Sequence, residues 1–204
     1  GFNFNARYFD RYFLTQASKK DWLNEAAYIK SHLTDGVIQK ALRSFPDTIF
    51  QLHGEEIINI LKIRRDNLQK IASAQYEALA KSVSILGSDK TELFEIERLL
   101  NGSTSVRVTK ISNKGKLKQA TYYREFDKKD TKEIRIYGLG GADRFVCKGE
   151  SRNKIKIRVI AGSGIDQIID QTSKSSRKNI FIYDMKDSLQ IQKPVNGEIN
   201  MANS

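Results

Sequence analysis

Two periodicities divide the chain. From about residue 18 to residue 83 apolar positions recur at helical spacing, and beyond that they alternate. Trp22, Ala26, Ile29 and Leu33 fall at i, i+4, i+7 and i+11, behind a Ser18 N-cap with Asp21 at N3. Thr34 or Asp35 caps the next helix, which carries Val37, Ile38, Ala41, Leu42 and Phe45 and stops at Pro46. A third helix begins near Glu55 with Ile57, Ile58 and Leu61 and ends in the Arg64-Arg65 pair. A fourth starts near Leu68 and lines up Ile71, Ala72, Tyr76, Leu79 and Val83 on one face. The aromatic-rich segment Ala6 to Leu14 is also read as helical. Short connections predict antiparallel hairpins of helices, so residues 1–85 read as a helical bundle with Trp22 as a core anchor.

The alternating region opens with Leu93–Leu99, a turn at Asn101-Gly102, Val106 and Val108, a turn at Asn113-Lys114-Gly115, and Ala120–Phe126. Residues 86–130 therefore read as an antiparallel β meander. Next, Glu133-Ile-Arg-Ile-Tyr-Gly138, Lys156-Ile-Arg-Val-Ile-Ala161 and Asn179-Ile-Phe-Ile-Tyr-Asp184 align at a constant 23-residue offset. Ile134, Ile157 and Ile180 coincide, as do Ile136, Val159 and Ile182, and further on Phe145, Ile168 and Ile191. A fixed period with apolar residues in constant phase predicts stacked copies of one strand–turn–strand unit. Residues 131–192 are accordingly expected to form a short parallel β-solenoid with 23-residue rungs, and 193–204 a flexible tail. The expected fold class is α+β: helical bundle, meander, solenoid.

Charge follows the same division. Residues 1–100 hold 14 basic and 13 acidic side chains, and residues 101–204 hold 21 and 11, so almost all of the net +11 lies in the β half. The 39% hydrophobic content and two prolines are those of a folded chain. One cysteine, Cys147, forms no disulfide framework, and with only His32 and His53 beside it a zinc cage is not expected. No apolar run approaches the length of a transmembrane helix. The start, Gly1-Phe-Asn-Phe-Asn, resembles no signal peptide, and the chain is read as a fragment of a larger polypeptide.

The candidate chemistry lies in the repeats. Gly138-Leu-Gly-Gly141-Ala-Asp143 and Ala161-Gly-Ser-Gly164-Ile-Asp166 approximate a calcium-binding glycine/aspartate repeat, in which turn carbonyls and one carboxylate per copy cage the ion. Asp143 and Asp166, with the turn backbone near Gly141 and Gly164, are the candidate metal ligands, and Ca2+ is the one cofactor the pattern points to. Capping of turn N–H groups is the alternative role for both carboxylates. Arg135 and Arg158 are expected to share an outward column, and Lys116 and Lys118 with Lys110 and Lys114 to cluster at a hairpin tip. These are the candidate anion-binding residues. A Rossmann fingerprint fails because Asp143 holds its third glycine position and no helix follows. No Lys-Ser/Thr completes a P-loop.

Several stretches together resemble one region of large bacterial cell-envelope proteins: Phe2-Asn-Phe-Asn with Arg7-Tyr-Phe, Lys20-Asp-Trp22, Leu33-Thr-Asp35, Arg64-Arg-Asp66, Gly87-Ser-Asp-Lys, Thr131 through Phe145, and Arg158 through Asp166. Members of that family combine a metallophosphoesterase or a spore-coat-kinase-like segment with a C-terminal outer-membrane β-barrel. The resemblance implies a periplasmic or outer-membrane-associated setting and the rest of a larger polypeptide as partner. Metallophosphoesterase and kinase motifs are absent from these residues, so no catalytic residue carries over. The expected function is a non-catalytic structural or interaction module. The alternatives are a calcium-binding β-roll, a module binding polyanions such as glycan phosphates or lipid headgroups, and a hydrolase using Asp184 and Asp187. Nucleic acid is disfavoured as a partner, because the basic side chains lack interleaved aromatic platforms.

Overall fold

A computed structural model describes residues 6–150, 155–172, 179–185, 189–191 and 199–202. Two compact units emerge, one of residues 17–78 and one of residues 1–16 with 79–204.

The first unit is helical. Helix α2 (Lys19–His32) starts at a full capping box: the Ser18 hydroxyl accepts from Asp21 N, and Asp21 accepts from Ser18 N. Helix α3 (Asp35–Leu42) is capped by Thr34, whose Oγ1 accepts from Val37 N. Short α4 (Asp47–Ile49) runs through a π-helical turn (Phe50–Gly54) into α5 (Glu55–Asp66), and α6 (Leu68–Ala80) follows. A β-carbon on Gly54, at the end of that turn, would strike the Phe50 ring. Arg65, at the end of α5, donates to Asp35 Oδ1 (2.6 Å) and to the Leu33 carbonyl (3.1 Å), tying α5 to the start of α3. The Arg65 guanidinium beside Asp35 holds that carboxyl below its ordinary range.

The expected helical bundle is not what forms. Among the described residues, the fully buried apolar cluster of this unit is confined to Ile38, Leu42 and Ile58, with Leu33, Phe50, Ile57 and Leu61 packed around it. Trp22 is only half-buried, while Val37, Phe45 and Ile71 are exposed. Helical spacing gives each helix an apolar stripe, but α3 and α5 bury only part of it: Ile38, Leu42 and Ile58 are covered, while Val37, Ile60 and Ile63 are exposed.

In the second unit α1 (Ala6–Phe13) precedes the strands: β1 (Ser82–Leu86), β2 (Glu92–Arg98), β3 (Thr104–Ile111), β4 (Leu117–Phe126), β5 (Glu133–Tyr137), β6 (Arg144–Gly149), β7 (Lys156–Ile160), β8 (Asp166–Thr172), β9 (Ile180–Met185), β10 (Leu189–Ile191) and β11 (Ile199–Ala202). They form two sheets. One is wholly parallel, in the order β1-β5-β7-β9-β11. The other is mixed, in the order β10-β8-β6-β2-β3-β4.

This corrects the expected serial arrangement of an antiparallel meander and then a solenoid. Residues 86–130 are not a free-standing meander, because β2 has two partners: it pairs antiparallel with β3 and parallel with β6. The preceding strand, β1, lies in the other sheet beside β5. At the far end, β11 falls within the segment expected to be a tail, and it pairs with β9. The hairpin turns at Asn101-Gly102 and Asn113–Gly115 were legible locally. The second edge of β2 is a non-local pairing that no turn announces.

Copies aligned by the 23-residue offset are hydrogen-bonded neighbours in register: Ile134, Ile157 and Ile180 in one column, Ile136, Val159 and Ile182 in the next. In the mixed sheet Phe145 faces Ile168, and Ile168 faces Ile191. A further copy precedes these. Val83 pairs with Ile134 and Phe94 with Phe145, both at a 51-residue offset, because the β3–β4 hairpin is inserted between. Inward-facing residues of both sheets make one core, including Val83, Ile85, Phe94, Ile96, Ile134, Ile136, Phe145, Ile157, Val159 and Ile168. Phe94 stacks on Phe145 at 4.7 Å. Each fully buried isoleucine or phenylalanine contributes about 1.5–3 kcal/mol from area alone. Tyr122 and Arg124, on the inner face of β4, both donate to the Thr15 carbonyl just beyond α1. Burial pushes the Tyr122 phenol up to about 12. No helix among the described residues is long and apolar enough to cross a membrane.

Candidate functional site

The turns joining the two sheets stack upon one another: residues 87–91, 138–142 and 161–165. Their backbones are in direct contact. Gly87 N donates to the Tyr137 carbonyl, Gly138 N to Ile160 and Ala161 N to Tyr183, at 2.8, 2.9 and 3.0 Å. Ser163 N donates to Leu139 O at 2.9 Å. This closeness explains the glycines. Gly164 has φ +133°, and a β-carbon there would overlap the Gly141 carbonyl oxygen. Leu139, which stands where the calcium repeat has glycine, adopts φ +74° even so. Stacking imposes the turn shape on a residue that resists it.

At the end of each turn stands a buried carboxylate. Glu92, Asp143 and Asp166 occupy successive rungs of one ladder, 2%, 1% and 0% exposed. Asp166 Oδ1 accepts from Asp143 N at 2.8 Å, and Asp143 Oδ1 accepts from Glu92 N at 2.8 Å. Glu92 turns back on its own loop and accepts from Ser88 N (2.8 Å) and the Ser88 hydroxyl (3.0 Å). Each acid thus receives a backbone N–H: the aspartates reach the neighbouring turn, and the glutamate reaches its own. Burial pushes the Asp143 carboxyl up to about 7; the bond from Glu92 N opposes this, and the charges of Asp166 and Glu92 add to it.

The structure brings Asp143 and Asp166 together, and one oxygen of each, Oδ1, accepts from a backbone N–H. Calcium takes about 6–8 oxygens that point inward at one centre. Here Oδ1 of both aspartates points at an N–H donor. Among the described residues no group of three His, Cys, Asp or Glu side chains is placed to hold a metal ion. Gly141 and Gly164 serve close backbone approach.

Arg135 and Arg158 also meet, side by side in one outward column with Phe181. Neighbouring residues of such a column stand about 4.8 Å apart. Their partner escaped the sequence reading. Glu133 lies between them, accepting from Arg158 Nε on Oε1 (2.5 Å) and from Arg135 on Oε2 (2.6 Å). Partial burial raises the Glu133 carboxyl, but the bonds from Arg158 and Arg135 outweigh it and hold the group below its ordinary range. Arg158 also donates to the Tyr183 hydroxyl and lies over the Phe181 and Tyr183 rings. The pair is therefore an internal network with one carboxylate already bound. A signal for it existed: Glu133 precedes Arg135 by two positions on the same face of the strand.

Lys116 and Lys118 lie elsewhere, on the β3–β4 hairpin of the mixed sheet, and both are exposed. They do not join the arginines. Asp187 lies outside the described residues, so the Asp184/Asp187 pair enters no site. Cys147 is buried in the core, and burial pushes its thiol up to about 12. Comparison of the chain with known protein families, with curated proteins and with solved structures finds no match.

Proposed function

We propose that the chain is a non-catalytic structural and interaction module, its β unit a rigid scaffold that presents side chains from two sheets. The observation that carries this reading is the use made of the acids. Glu92, Asp143 and Asp166 are engaged by turn N–H groups, and Glu133 by two arginines, so the carboxylates best placed for acid–base chemistry are holding the fold. The cell-envelope setting, and a larger polypeptide around the module, rest on the sequence resemblance alone.

A turnover screen tests the non-catalytic reading. Aryl esters, aryl phosphates and aryl glycosides are offered to the chain and to Asp143→Asn and Asp166→Asn. The expected result is no turnover above buffer in any of the three proteins. Turnover by the parent chain that either substitution abolishes contradicts the reading.

A further inference from the structure

Some lysines of the molecule pair with carboxylates: Lys19 with Glu77, Lys62 with Asp35, and Lys148 with Glu95 and Glu97. The β3–β4 hairpin gathers four that do not. Lys110, Lys114, Lys116 and Lys118 lie close together in the chain, and among the described residues none of their ammonium groups has a hydrogen-bond or ion-pair partner. In the chain Leu117 stands between Lys116 and Lys118, 59% exposed, and it lies across the strand pair from half-buried Ile111. The tip is ordered: Gly115 N donates to Ser112 O (2.8 Å), Ser112 N to Lys116 O (2.9 Å) and Lys116 N to the Ser112 hydroxyl (3.0 Å). Space at the turn is open: a β-carbon on Gly115 would meet nothing within 4 Å.

From this we infer that the hairpin tip docks on the surface of an anionic phospholipid bilayer, with the lysines on the headgroups and Leu117 entering the interface below them. Lysine on an edge hairpin also guards against strand-to-strand aggregation. That role asks for no exposed leucine at the centre of the cluster. A soluble polyanion would match the lysines but leave Leu117 in water. A bilayer surface offers negative charge and an apolar layer just beneath it, which fits both. Lysine stems lie along apolar surface while their ammonium groups stay at the headgroups. The inference rests on reading the chain as an interaction module, and it can fail while that reading stands, because the turnover screen does not involve lipid.

Co-sedimentation of the full chain with vesicles tests it. Vesicles of phosphatidylcholine alone are compared with vesicles in which part of it is replaced by phosphatidylglycerol. Binding is expected only with phosphatidylglycerol and is expected to weaken as salt is raised. Lys116→Gln with Lys118→Gln is expected to weaken partitioning about 25-fold, at roughly fivefold per lysine. Leu117→Ser is expected to weaken it roughly tenfold, and Arg135→Gln to leave it unchanged. The substituted hairpin positions are exposed, so thermal melts should match the parent. Failure to bind phosphatidylglycerol vesicles overturns the inference. So does binding that ignores Leu117→Ser and is displaced by soluble polyphosphate, which identifies a polyanion site instead.

Discussion

Gly164→Ala is expected to destabilise the β unit by about 3 kcal/mol or more, read as a lower urea midpoint at unchanged slope. Two costs combine at this position. The backbone stands at φ +133°, where a side chain is strained. In addition, the new methyl would overlap the Gly141 carbonyl oxygen of the neighbouring turn, and neither backbone can withdraw without opening the stack. Gly115→Ala provides the internal comparison. Its φ is +73°, but the space around it is open. Only the conformational cost then applies, about 1 kcal/mol. A similar loss at both positions would mean that the turns of the β unit are not in contact.

The second large effect concerns Asp143 and pH. Its native pKa of about 7 lies above the ordinary 3.8, so the native state holds a proton that the unfolded chain releases between those values. Stability from this group is fully present below pH 4 and is lost as pH rises through 7. In the Asp143→Asn variant the side chain would remain neutral and keep an oxygen to accept from Glu92 N. That variant should therefore be more stable than the parent at pH 8, by about 2–4 kcal/mol, and the difference should shrink as pH falls and close below pH 4. Melting curves of both proteins across that range check the sign. A variant that is less stable than the parent at pH 8 would show that the carboxylate is ionised and favourably held.

How far the sequence could be read depended on how local each determinant was. Ser18 and Thr34 act as helix caps because their partners lie within the first helical turn. The 23-residue register of Ile134, Ile157 and Ile180 was visible because nothing interrupts those copies. The copy formed by β1 and β2 was hidden, since the inserted hairpin stretches its spacing to a 51-residue offset. With it went Glu92, the acid of that copy's turn, and the parallel edge of β2. Strand alternation places the Arg135/Arg158 column, but the partner of its charge, Glu133, is set by which rotamers pack across the two strands, and no local pattern specifies that. In the helical unit the apolar spacing of Val37, Phe45 and Ile71 set helix faces. Whether such a face is covered depends on packing that no local pattern specifies.

Amide hydrogen exchange at Asp143 N–H, with calcium and with chelator, tests the scaffold account most directly. If the Asp166 carboxylate is a backbone cap, this N–H is protected to the same degree under both conditions. Asp166→Ala then lowers its protection far more than that of the Ile157 and Val159 amides in the neighbouring parallel sheet. Protection that appears only with calcium, or that survives Asp166→Ala, would contradict the account.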